Sequence, residues 1–284
     1  MIDTHSHLFL KDNPFKGFDA NTIFTDSINS GVEQIWLVGT NKYDNVKNIK
    51  FAKKHPKIVK CWVGFHPEEY LNFDLTFLKE ILKNQEQHST LKDSISNSIT
   101  LENTLIVGIG EVGVDLHWNK KSTTKAQQMV FEDQIRLANK YNLPVSIHSR
   151  DAFEQTFEVM QKYKDTKFVW HCFNLNTKET NRVLNNFPNL YLGLNAIVTY
   201  KSGEYIWDSV KEVSVSQILI ETDCPFLPPR PFKHKYNTPY GVIPVYNFVA
   251  KKLGFNVEEL KNQVEKNCIR LINKYSISHK SFIK

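Results

Sequence analysis

Ile2-Asp3-Thr4-His5-Ser6-His7 is the first β-branched run of the chain, and it ends in two imidazoles spaced two residues apart. Residues i and i+2 of a strand share a face, about 6.5–7 Å apart along the backbone, so both rings aim at one space. Seven more runs rich in β-branched or aromatic residues follow, at 34–40, 58–66, 105–115, 144–148, 167–173, 190–195 and 217–223. Helix-like amphipathic stretches lie between them, among them 43–54, 125–141, 152–164 and 177–186. Eight strand-then-helix units predict a parallel sheet, and eight is the number that closes a barrel. The expected fold class is therefore α/β, a (β/α)8 TIM barrel. An open doubly wound sheet would carry fewer strands and usually a glycine-rich phosphate loop leading from strand to helix, which is not expected here.

The chain has 284 residues, a length that such barrels occupy without a second core, so residues 1–284 are read as one domain. One stretch breaks the rhythm. Residues 84–103 are rich in Ser, Asn, Gln and Thr, and are expected to form a polar insertion between strands three and four that extends a helix. The tail after Asn273 is basic and is expected to cap the last helix. A net charge of +6 suits a polyanionic partner, although on charge alone a Lys-rich solvated surface with no partner is the favoured account. Cys61, Cys172, Cys224 and Cys268 form no CxxC pair and read as reduced, buried thiols. Met1 leads straight into a strand, and no apolar run approaches the roughly 18 residues of a membrane span. A cytoplasmic protein with no membrane segment and no obligate protein partner is expected.

The chemistry-bearing residues fall in one place. His5 and His7 end strand one, His66 ends strand three, Glu111 lies late in strand four, His148 ends strand five, His171 is late in strand six and Asp223 ends strand eight. The C-terminal rim is where barrel enzymes build their sites. Taken singly, each has a structural explanation: a solvated strand end, a hydrogen-bonded core histidine, or an Asp-Cys-Pro turn. Packing alone offers little reason for all of them to share one rim. The set His5, His7, Glu111, His148, His171 and Asp223 is suited to two divalent ions with one shared carboxylate. His55, His88 and His279 read as surface residues, and His117 as a residue lining the mouth.

The segments Asp3-Thr4-His5-Ser6-His7-Leu8, Gly64-Phe65-His66-Pro67, Gly110-Glu111-Val112-Gly113-Val114-Asp115, His148-Ser149-Arg150-Asp151-Ala152, His171-Cys172-Phe173 and Glu221-Thr222-Asp223-Cys224-Pro225 stand in this order. With the Lys235-x-Asn237-x-Pro239 spacing, they make the chain resemble the TatD family of metal-dependent deoxyribonucleases over essentially its full length. The resemblance implies His5, His7, Glu111 and Asp223 around one metal ion and Glu111, His148 and His171 around another, with Glu111 as the bridge. It also implies exonuclease action supported by Mg²⁺ or Mn²⁺. Three departures are visible: Asn174-Leu175 replaces a common Ser-Gly, Lys233-His234 replaces a common Arg-Gly, and the 84–103 insertion is longer than usual.

A nucleic-acid substrate, with DNA foremost, follows from this resemblance. Two divalent ions (Mg, Mn or Zn) are expected; four imidazoles and two carboxylates suit Zn²⁺ or Mn²⁺, whereas Mg²⁺ prefers more oxygen donors. Asp223 is expected to act as ligand and as proton acceptor from the attacking water. Arg150 can offer a planar fork to a phosphate oxygen, while His66, Lys233 and Lys235 are candidates for holding the phosphate or leaving group. Glu221 shares strand parity with Asp223 and is expected to support the site from behind. The rival enzyme reading is an ester or amide hydrolase, such as an aminoacyl-tRNA deacylase. A non-catalytic nucleic-acid-binding barrel is opposed by the intact ligand set.

Overall fold

The computed structural model describes residues 1–89, 104–118, 121–230 and 235–273. Its eight strands are β1 (Ile2–Ser6), β2 (Gln34–Val38), β3 (Val59–Val63), β4 (Ile106–Asp115), β5 (Val145–Arg150), β6 (Phe168–Trp170), β7 (Leu190–Leu194) and β8 (Ile218–Ile220). They form one sheet in sequential order with every neighbouring pair parallel. Each strand is followed by a helix: α1 (Ala20–Asn29), α2 (Lys42–Lys54), α3 (Leu75–Ser89), α4 (Thr124–Lys140), α5 (Phe153–Met160), α6 (Thr177–Asn186), α7 (Ile206–Val210) and α8 (Val242–Leu253), with α9 (Val257–Ile272) completing the wall. This is the expected TIM barrel.

Strands covered on both faces need apolar side chains on both. Ile35, Trp36, Leu37 and Val38 of β2 are accordingly all buried. The barrel closes between its first and last strands by a short seam, in which His7 N donates to Cys224 O (2.7 Å) and Asp223 N to His5 O (2.9 Å). Buried Asp3 reinforces the seam by accepting from Thr222 N (2.9 Å), Thr222 Oγ1 (2.7 Å) and Ser6 Oγ. Every strand carrying a candidate ligand is therefore tied into one closed ring.

Several boundaries differ from the sequence expectation, in ways that matter for the site. β6 and β8 have only three residues each, so His171 and Asp223 lie past the strand ends. The backbone bends there: Cys172 and Asp223 take positive φ (48° and 58°), which extended pairing cannot accommodate. His7 and His66 also lie just beyond their strands, while Glu111 is central in β4 rather than late. β5 runs on through Arg150, so His148 sits within it. The Gly108-x-Gly110-x-x-Gly113 spacing lies inside β4 and opens no helix, so it forms no phosphate loop. α5 stops at Met160 because the next amides turn to i−3 acceptors, Lys162 N to Val159 O and Tyr163 N to Met160 O.

Of the polar insertion, residues 84–89 continue α3, as expected, and residues 90–103 lie outside the described part, as does the basic tail after Asn273. His55 is not a simple surface residue: its ring packs against Phe24 (4.8 Å) and Phe51 (4.7 Å). All four cysteines are free thiols; Cys61, Cys224 and Cys268 are buried as expected, whereas Cys172, in the bend after β6, is only partly buried. Among the described residues no helix is long and apolar enough to cross a membrane.

Candidate metal centre

His5 and His7 share a strand face as their spacing requires, with their Nε2 atoms 3.2 Å apart. Asp223 Oδ1 lies 3.4 Å from His7 Nε2 and 3.8 Å from His5 Nε2. Glu111 reaches the same space from β4, with Oε1 3.6 Å from His7 Nε2 and Oε2 3.8 Å from His5 Nε2. His171 stacks on His5 (centroids 3.5 Å) and points Nε2 at both carboxylates, 3.6 Å from Glu111 Oε2 and 3.7 Å from Asp223 Oδ1. On the other side of Glu111, His148 Nδ1 stands 3.4 Å from Oε2. The His66 ring meets that of His148 edge-on (4.4 Å), and donor atoms of His66, Glu111 and His148 lie within 4.8 Å of one another.

Two further carboxylates set which ring nitrogen faces the centre. Asp115 Oδ2 is 2.9 Å from His148 Nε2, so Nδ1 is the nitrogen turned to Glu111. Glu221 Oε1 is 2.8 Å from His171 Nδ1 and accepts from Cys172 N (2.7 Å), leaving His171 Nε2 to face inward. A carboxylate behind an imidazole orients the ring and raises its basicity. Gly193 is what makes room for Glu221: a Cβ there would stand 2.2 Å from Oε2. Gly113 similarly lets β4 approach β5, since its Cβ would meet His148 O at 1.9 Å.

The electrostatics call for positive charge. Burial pushes Glu111 up, but the imidazole of His148 and those of His66, His5 and His171 hold its carboxyl well below the usual range. Burial likewise opposes protonation of His148 and His171. Asp115 and Glu111 nevertheless carry His148 up to about 9, and Glu221 and Asp223 carry His171 up to about 10. Burial and the neighbouring His148 drive His66 down to about 3, and burial with His171 holds His5 well below its ordinary value. Carboxylates arranged this way accept either protons on their histidines or a cation among them.

The donor set fits divalent ions. Nitrogen and oxygen ligands at about 2.1 Å from one ion stand roughly 3.0–3.4 Å apart, close to the separations around Glu111 and Asp223. Among the described residues buried Glu111 Oε2 has no hydrogen-bond partner, its imidazole neighbours standing at 3.4–3.8 Å.

The remaining candidates lie around this centre. Arg150 is exposed at the end of β5, its guanidinium 5.3 Å from the centroid of the Trp118 ring, and among the described residues no carboxylate pairs with it. His117, exposed just after β4, has Nδ1 3.0 Å from Asp151 Oδ2. Lys235 is exposed, and Lys233 lies outside the described residues. Asn237 has a structural role: its Nδ2 donates to Thr222 O and Leu227 O, pinning the loop after β8. The support that Asp115 gives His148 and the placement of Trp118 beside Arg150 were not read from the sequence. For Asp115 a signal existed, because it lies four residues after Glu111 and so on the same strand face; for Trp118 there was none.

The rim of this TIM barrel gathers imidazoles and carboxylates around a cation-seeking centre, and relatives by sequence are described as metal-dependent hydrolases. An uncharacterized metal-dependent hydrolase of Bacillus subtilis, YabD, is 29% identical over 276 residues, covering 95% of this chain and 98% of its own. One from Mycoplasma pneumoniae is 30% identical over 239 residues, covering 83% and 86%. The TatD related DNase family pattern matches residues 2–273, and the chain belongs to that family. The fold agrees. The crystal structure of YJJV, a TatD homologue from Escherichia coli, superposes with a TM-score of 0.78 at 20% identity over 95% of this chain and 97% of that one. A TatD family hydrolase from Entamoeba histolytica gives 0.76 at 19% identity, over 96% and 98%.

Proposed function

We propose that this metal-dependent hydrolase is a nuclease, an exonuclease acting on DNA, that cleaves phosphodiester bonds with two divalent ions. The observation that carries the reading is the position of Glu111, whose carboxylate belongs both to the His5 and His171 donor group and to the His66 and His148 group. His5, His7, Glu111 and Asp223 would hold one ion, and Glu111, His148 and His171 the other. Zn²⁺ and Mn²⁺ suit an imidazole-rich donor set, and Mg²⁺, which prefers more oxygen donors, is the third candidate ion. When bound, such ions lower the pKa of water at the site and neutralise charge building up on the phosphoryl oxygens.

The protein's own groups do the rest. Asp223, partly open to solvent at the barrel mouth, accepts the proton of the attacking water. Arg150, exposed and without a carboxylate partner among the described residues, directs its fork to a non-bridging phosphate oxygen. His66 is held with Nδ1 accepting from Glu68 N (3.2 Å), which leaves Nε2 as the nitrogen that donates to the phosphate or leaving group. Lys233 and Lys235 follow β8 in sequence and extend the grip on the backbone. The test is a panel of labelled single-stranded DNA, RNA and aminoacyl-tRNA, assayed with and without Mn²⁺ alongside metal analysis of the same preparation. Mn²⁺-dependent shortening of DNA is expected. Deacylation of aminoacyl-tRNA with nucleic-acid chains left intact would replace this reading by the ester hydrolase.

A further inference from the structure

Four of the five tryptophans, Trp36, Trp62, Trp170 and Trp207, are buried, whereas Trp118, three residues past the end of β4, is 65% exposed. Its position is tied to the metal centre by one side chain. Asp115 Oδ1 accepts from both His117 N (2.9 Å) and Trp118 N (3.1 Å), while its Oδ2 meets His148 Nε2 at 2.9 Å. The backbone carrying the indole is thereby registered to the imidazole that faces Glu111. Two side chains brace the indole itself. The His117 ring meets it edge-on at 4.7 Å and is anchored through Nδ1 to Asp151, and the Arg150 guanidinium lies 5.3 Å from the ring centroid.

Exposing an indole forgoes the burial that usually retains it, so a braced and exposed one beside a cation calls for a partner. A flat π-system stacks on such a ring, and the adjacent guanidinium suits a phosphate linked to it. We propose that Trp118 is a stacking platform for an unpaired nucleobase adjoining the phosphodiester that Arg150 holds, an inference resting on the nuclease reading above. A base inside a duplex gives both its faces to its neighbours and reaches the indole only after unstacking. Because every base has a π-face, the platform imposes only weak sequence preference.

The test compares a labelled short thymidine strand, the same strand with its bases removed, and a duplex. Anisotropy is read with chelator present so that no turnover intervenes, and hydrolysis is measured separately with Mn²⁺. Trp118→Ala should weaken binding of the thymidine strand by roughly five- to a hundred-fold, the range of a lost base–aromatic stack. It should leave the base-free strand bound as before, and Trp118→Phe should recover most of the difference. The thymidine strand should also quench the emission of the exposed indole in the parent, and quench neither variant. Equal losses on the two strands, or none, would overturn the platform while leaving the nuclease reading in place. A parent protein that neither binds nor hydrolyses any strand would overturn both.

Discussion

Glu111 carries more of the site than any other side chain, because three imidazoles crowd one of its oxygens and a fourth the other. Glu111→Ala should reduce hydrolysis at least a thousand-fold by analogy with the loss of a principal catalytic charge, and bound metal should fall from two ions towards none. The fold should persist, since barrel rims are largely separable from the packed core. Near-normal turnover with two ions retained would refute the shared role. Arg150→Lys keeps the charge but loses the planar fork. Turnover should drop about ten-fold or more while metal content stays constant, as measured by kinetics and metal analysis on one preparation. Unchanged rates would return Arg150 to bracing Trp118. At this scale the sequence was informative for the donors and for Glu221, which strand parity places behind them, whereas the function of Asp115 rests on a hydrogen bond across 33 residues.

Helix α9 illustrates how elements are held. It begins with a capping box, Asn256 and Glu259 bonding each other's backbone amides, and ends against Lys167, which immediately precedes β6. Lys167 Nζ donates to Arg270 O (3.0 Å), Leu271 O (3.2 Å) and Asn273 O (2.7 Å), satisfying carbonyls that the helix itself leaves open and placing positive charge at its C-terminus. Lys167→Met, which keeps the apolar stem, should cost about 1–2 kcal/mol and lower Tm by roughly 2–6 °C by calorimetry, with metal content unaffected. An unchanged Tm would mean that water replaces the ammonium at no cost. Strand and helix order were readable from hydrophobic periodicity, yet the ends of β6 and β8 were not, because the positive φ at Cys172 and Asp223 is imposed by the turn towards the barrel axis.

At the scale of the whole molecule, the closed ring brings together side chains from β1, β4 and β5 and from the loops after β1, β3, β6 and β8. A divalent ion bound there acts only on the folded state, where those donors meet. Mn²⁺ at a hundred times its dissociation constant should add about 2.7 kcal/mol of stability, or roughly 4–5 °C in Tm for a chain of this size. Chelation should reverse the gain, and Glu111→Ala should abolish the response. A Tm indifferent to both ion and chelator would argue against the metal centre. The mild positive charge, +6 over the whole chain, is a weak guide beside this, since it identifies no surface.

The sequence by itself determined the barrel, the strand-face pairing of His5 with His7, and the kinds of donor available, because these depend on local periodicity and on side-chain chemistry. Tertiary structure alone decided which nitrogen of His148 and His171 turns inward, that Gly193 yields space to Glu221, and that Asp115 joins His148 to the exposed Trp118. Those contacts cross between strands or loops, and their geometry depends on register and on where each strand stops, neither of which a linear pattern specifies.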